Sequence, residues 1–224
     1  MVPDKQISLR NKILNAIFIV FVVATPFFIW RGIEKNKIVA VPPDTVNLDF
    51  PLSGGRFYVA FSGPGDSLYG AIHGAPIEKY ALDIIKDTGN PDIFGVQGSL
   101  PENDPSFGAP VFSPCSGKVV WVQNNKLDLP VGSRDYVAVA NSATIECAAG
   151  FTVVMAHFKQ GSVIVNIDQE VAAGDRVAAV GNSGNTTGPH LHIMAFRQNS
   201  DGSKTPLPMV FSGQYLQKGD TVSR

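Results

Sequence analysis

From Pro51 onward, short runs of β-branched and aromatic residues alternate with clusters of Gly, Pro, Asn and Asp. That pattern predicts strands at RFYVAFS (56–62), KVVWVQ (118–123), DYVAVA (135–140), FTVVMAHF (151–158) and SVIVN (162–166). Strands of this kind, separated by turn residues, predict an all-β domain, a compact sandwich. A stretch of about 165 residues is enough to enclose one hydrophobic core. The segment from Thr88 to Phe107 is rich in Gly, Pro and Asp and is expected to be a long inserted loop, either solvated surface or one wall of a groove.

The amino terminus follows a different pattern. Residues 13–30, ILNAIFIVFVVATPFFIW, are uncharged and mostly apolar, which sits at the short end of what spans a bilayer. This predicts one transmembrane helix or signal anchor behind a tail at 1–12. A cleaved signal peptide competes with that reading: Lys5, Arg10 and Lys12 precede the apolar run, but no A-x-A-like site follows it. A buried core helix is the third possibility, disfavoured by bulky residues on every face. Residues 31–50, charged first and then carrying Val41-Pro42-Pro43, read as a linker, and 217–224 as a carboxy-terminal tail.

Net charge is −1 and the domain has no basic cluster, which argues against nucleic-acid binding. The two cysteines, Cys115 and Cys147, both fall in the β-rich part. If that part is exported, an even pair predicts a disulfide; otherwise they are two buried thiols. Neither has a CxxC partner, so a zinc role for them is not expected.

Three of the four histidines, His157, His190 and His192, lie in the segments MAHF and PHLH. On a strand, His190 and His192 share one face while Leu191 points the other way into the core. Paired imidazoles suggest metal, because neutral imidazole is the commonest protein ligand for zinc. The competing reading is hydrogen-bonded core histidines. The upstream run GDRVAAVGNSGNTTGP weighs toward a site. In it Gly181, Gly184 and Gly188 predict a tight loop between two strands, with both imidazoles at its mouth.

The strings VGNSGNTTGPHLH, MAHF, VNIDQEVAAGDRVAAVG and APVFSPCSGKVV together resemble the lysostaphin-type zinc metallopeptidases, which cut peptide cross-links of bacterial cell walls. The likeness is tight over 108–195, loose over 51–107 and absent before. It implies a zinc peptidase domain over 51–216 and a zinc-activated water as nucleophile. The implied zinc ligands are His73, Asp83 and His192, with His157 and His190 assisting the chemistry. Two departures stand out. The usual HxxxD spacing would put the first ligand at Lys79, so the remaining histidine, His73, ten residues before Asp83, is taken instead. Met194 stands where many relatives carry glutamate.

The resemblance implies an endopeptidase acting on peptidoglycan peptides, and the apolar segment 13–30 adds a membrane anchor, with the domain expected outside the cytoplasmic membrane on the periplasmic or wall side. The alternative is a non-catalytic regulator of wall enzymes on the same fold, which the presence of all four histidines and Asp83 disfavours. A biotin- or lipoyl-carrying sandwich is also disfavoured, because no lysine occurs between Lys159 and Lys204.

Overall fold

The computed structural model describes residues 41–63, 75–89, 96–137 and 139–224. The apolar segment 13–30 and His73 lie outside them. Among the described residues no helix is long and apolar enough to cross a membrane.

The described chain is nearly all strand. In order, β1 is Val46–Leu48, β2 Arg56–Ser62, β3 Leu82–Lys86, β4 Pro110–Phe112, β5 Gly117–Gln123, β6 Ser142–Cys147 and β7 Phe151–Ala156. There follow β8 Glu170–Val171, β9 Arg176–Ala179, β10 Leu191–Gln198, β11 Lys204–Leu207, β12 Met209–Phe211 and β13 Thr221–Ser223. Nine of them form one sheet in the order β13-β2-β3-β10-β7-β6-β5-β8, with β11 also on β10; β4–β9 and β1–β12 make two small sheets.

The large sheet sorts its side chains by alternation. Ile84, Ile145, Val153, Met155, Leu191 and Ile193 turn to one face and join Val111, Val177 and Phe211 from the small sheets in a single buried cluster. This is the sandwich core, and burial of such side chains contributes about 1.5–3 kcal/mol each. The opposite face carries Asp83, His192, Ala156 and Ser142 in one row, because His192 pairs with Asp83 and Ala156, and Ala156 with Ser142. Directly paired residues point to the same side of a sheet, so this row is a floor that strand register itself assembles.

Several expected strands differ. DYVAVA is not a strand: Tyr136, Val137 and Val139 are exposed, and the ladder begins at Ser142. SVIVN keeps alternation, with Val163 and Val165 buried and Ile164 exposed, but forms no ladder. The Asn124 side chain takes the place of a neighbouring strand, its Oδ1 accepting from Val163 N and its Nδ2 donating to Val163 O. β1 falls within the segment expected as linker and β13 within the expected tail. The Gly/Pro/Asp-rich loop is tied down in its described part, where Gly98 N donates to Val131 O and Val131 N to Ser99 O.

Cys115 and Cys147 are disulfide-bonded, with Cα atoms 5.8 Å apart. The bond ties the segment entering β5 to the end of β6 and closes a loop of sequence separation 32. On the chain-entropy model such a loop contributes about 3–4 kcal/mol. Reduction, or the double replacement Cys115→Ser/Cys147→Ser, should therefore lower Tm by about 6–12 °C in calorimetry. An unchanged Tm would show that the link adds nothing to stability.

Candidate active site

Asp83 in the middle of β3 is only 2% exposed. A carboxylate this deep requires compensation by hydrogen bonds or opposite charge. Its Oδ1 lies 2.9 Å from His192 Nδ1 and 3.5 Å from His190 Nε2, both rings being buried. The second distance is too long for a satisfied hydrogen bond, and His190 Nε2 is left as a buried nitrogen without a hydrogen-bond partner.

The histidine rings are oriented from behind. His190 Nδ1 donates to the Gly188 carbonyl at 2.8 Å, and His157 Nδ1 donates to the Ser183 carbonyl at 2.8 Å. A carbonyl can only accept, so each Nδ1 carries its proton and each Nε2 presents a lone pair when the ring is neutral. The ring centroid of His157 is 4.6 Å from that of His190 and 5.8 Å from that of His192. His157, His190, His192 and Asp83 thus form one cluster, with Leu191 turned into the core.

His157 reaches that cluster by leaving the strand pattern. In β7 the odd-numbered Phe151, Val153 and Met155 point into the core, and continued alternation would send residue 157 the same way. Instead β7 ends at Ala156 and His157 adopts φ of 64°. A left-handed backbone costs a non-glycine residue about 1–2 kcal/mol. The turn swings the imidazole to the floor side and drops Phe158 into the core in its place.

Electrostatics separate the two rings. Burial, reinforced by the neighbouring His190 and His192, holds the His157 pKa well below the ordinary imidazole value. For His190 burial also pulls downward as the largest single influence. The Asp83 carboxylate and the Gly188 carbonyl together outweigh it, so the value is raised. Asp104, from the Gly/Pro/Asp-rich loop, adds a smaller upward influence on His190 through its charge, and its own pKa is raised by burial. No motif in the sequence marked Asp104.

The glycine-rich loop approaches by close backbone contact. Gly181 N donates to the His157 carbonyl, and a Cβ on Gly181 would fall on the backbone of Lys159. Gly184 has φ of +80° and packs on Ala140. Further back lie groups that no motif announced: buried Asn141, Ser183 and Thr186, the last placing its hydroxyl 3.3 Å from His190 Nδ1 and donating to the Gly188 carbonyl.

Part of a metal-binding donor set is present. Asp83 Oδ1 and His192 Nδ1 are near enough to share a cation as they share a proton, and a carboxylate with imidazoles suits zinc. Among the described residues no group of three His, Cys, Asp or Glu is placed to enclose an ion by itself. A third ligand has to come from elsewhere, and His73, the candidate, lies outside the described residues.

Residues 103–204 match the family model described as Peptidase family M23. The chain is similar to peptidoglycan DD-endopeptidase ShyB of Vibrio cholerae, 29% identical over 177 residues, covering 76% of this chain and 38% of that protein. It is also similar in structure to a putative glycyl-glycine endopeptidase lytM from Ruminococcus gnavus, at 17% identity and TM-score 0.46 over 71% of this chain and 56% of that one. The catalytic domain of lysostaphin from Staphylococcus simulans matches at 18% identity and TM-score 0.38, over 67% and 86%. The segment of this chain that matches the family model contains His157, His190 and His192. It spans 38% of the length of ShyB, so its likeness to that protein concerns one part of it.

Because Gly181 sits between His157 and Lys159, adding one methyl there should displace main chain rather than a side-chain tip. Gly181→Ala is expected to cost about 3 kcal/mol. Thermal denaturation should show Tm lowered by about 6–12 °C; a change under two degrees would mean that the loop yields without strain.

Proposed function

We propose that this chain is a membrane-anchored zinc metalloendopeptidase that hydrolyses peptide cross-links of bacterial peptidoglycan. The observation that carries this reading is the convergence of His190 Nε2 and His192 Nδ1 on Asp83 Oδ1. The match of residues 103–204 to a peptidase family model and similarity to a protein named as a peptidoglycan endopeptidase support the substrate class. The apolar segment 13–30 supports the anchor, with the domain on the periplasmic or wall side of the cytoplasmic membrane. The disulfide fits an oxidising compartment on that side.

In this reading Asp83, His192 and His73 hold the metal. Zinc bound there would polarise a scissile carbonyl and make water nucleophilic near neutral pH. The chain's own groups do the rest. His157 and His190, each with Nδ1 committed to a carbonyl, offer Nε2 to the reacting atoms. One takes a proton from the attacking water. The other stabilises the developing oxyanion or returns a proton to the leaving amine. The low pKa of His157 keeps it neutral and able to accept.

Three measurements test this. The purified domain should carry about one zinc per chain, and His192→Ala or His73→Ala should lose most of it, since structural loss of one ligand weakens the whole site. Full occupancy in His73→Ala would show that another group completes the site.

His157→Ala and His190→Ala should keep zinc and Tm while slowing peptide release from purified peptidoglycan by about 100-fold or more. A parent that binds zinc and releases no peptide from any wall preparation would overturn the enzyme in favour of the regulator.

Protein taken from its native membrane should retain its amino terminus and show both thiols protected until reduced. A mature terminus beyond Trp30 would replace the anchor by a cleaved signal.

A further inference from the structure

Asn141 and Ser183 are both fully buried polar residues. Their hydrogen bonds are concentrated on the two residues at the left-handed turn. The Asn141 carbonyl accepts from Phe158 N at 3.1 Å, and Asn141 Nδ2 donates to Phe158 O at 3.1 Å. Ser183 Oγ donates to the same Phe158 oxygen at 2.9 Å and accepts from Asn141 N at 3.0 Å. The Ser183 carbonyl then receives the His157 ring at 2.8 Å. Asn141 is itself anchored by reciprocal bonds with Lys126, its Oδ1 accepting at 2.8 Å and its Nδ2 donating at 2.8 Å.

A fold that needed only to satisfy buried amides could do so with a continued ladder. Here the ladder is interrupted at Ala156, and two side chains on two separate loops grip the peptide that follows. Both lone pairs of Phe158 O are engaged, which fixes the peptide plane next to His157. The main chain adds Gly181 N on the His157 carbonyl and Lys159 N on the Ala179 carbonyl, so with φ of 64° at His157 the side-chain bonds on Phe158 O are what set the plane beside the ring.

We propose that Asn141 and Ser183 are positioning residues, forming a clasp that holds His157 in its left-handed turn and so aims its Nε2 at the reacting atoms. The clasp rests on the hydrolase reading for its consequence in catalysis, though not for its effect on the ring. Its side-chain bonds run to Phe158, Lys126 and one another, and its link to the cluster is the Ser183 carbonyl on the His157 ring.

Zinc-loaded full-length protein would be compared with Ser183→Ala, Asn141→Ala, His157→Ala and the double variant Ser183→Ala/His157→Ala. Ser113→Ala serves as control. That serine is equally buried, and its hydroxyl donates to Cys115 O at the disulfide end of the molecule. The parent should show an imidazole N–H proton resonance, protected from exchange and identified by its absence in His157→Ala. In Ser183→Ala it should be lost or strongly broadened, with zinc content unchanged. Asn141→Ala should do the same with a larger fall in Tm.

Peptide release by Ser183→Ala should show kcat down about 10- to 100-fold with KM within about twofold, as expected when a reacting group is displaced rather than removed. In the His157→Ala background the same substitution should slow release no further. Ser113→Ala should lower Tm and leave the resonance and kcat in place. A Ser183→Ala protein that keeps the resonance would overturn the clasp. So would one that slows His157→Ala by the same factor as the parent. If the parent releases no peptide, the hydrolase reading fails, while the resonance still decides whether the clasp orients His157.

Discussion

A single buried carboxylate organises this molecule. Asp83 has almost no access to water, and an ionised group in that position requires opposite charge or several donors to offset its lost hydration. The protein provides these by register: β3 and β10 pair so that His192 stands directly opposite Asp83, and His190 arrives at the mouth of the same strand. A slip of one residue between these strands would send His192 into the apolar core and Leu191 onto the floor. Strand pairing and site assembly are therefore one constraint.

The two faces of the large sheet carry different work. Its inner face packs with the small sheets in one apolar cluster; the other bears Asp83 and His192 in a row of paired residues, with His190 and His157 just beyond the ends of their strands. Functional groups on a floor of paired strands are held more rigidly than groups on loops, which suits chemistry that depends on orientation. Loops contribute the outer layer, where carbonyls of Gly188 and Ser183 choose the tautomers. Such partners behind a reacting or ligating imidazole fix its ring and its protonation.

Much of the cluster was legible along the chain. HxH with an apolar residue between states its own geometry under a period of two, and the glycines before it announce a tight loop. Asp83 was accessible only by resemblance, because one acidic residue in an apolar run looks like many others. Asp104, Asn141 and Ser183 were not legible, being unremarkable residues 86, 16 and 26 positions along the chain from the histidines they influence. The strand predicted at 135–140 failed because alternation alone says nothing about whether a partner strand is available, and the chain there packs as a loop on Gly184 instead.

The amino-acid order by itself determined the fold class, the histidine pair on one strand face and the presence of two cysteines able to pair, all of which follow from local periodicity and residue chemistry. Tertiary structure decided the rest. Alternation along β7 assigns His157 to the core; bonds that Asn141, Ser183 and Gly181 bring from distant loops hold the left-handed turn that puts its ring beside His190. Local sequence records which conformations are cheap, whereas the bonds that make an expensive one persist come from residues that the fold, and not the chain, makes neighbours.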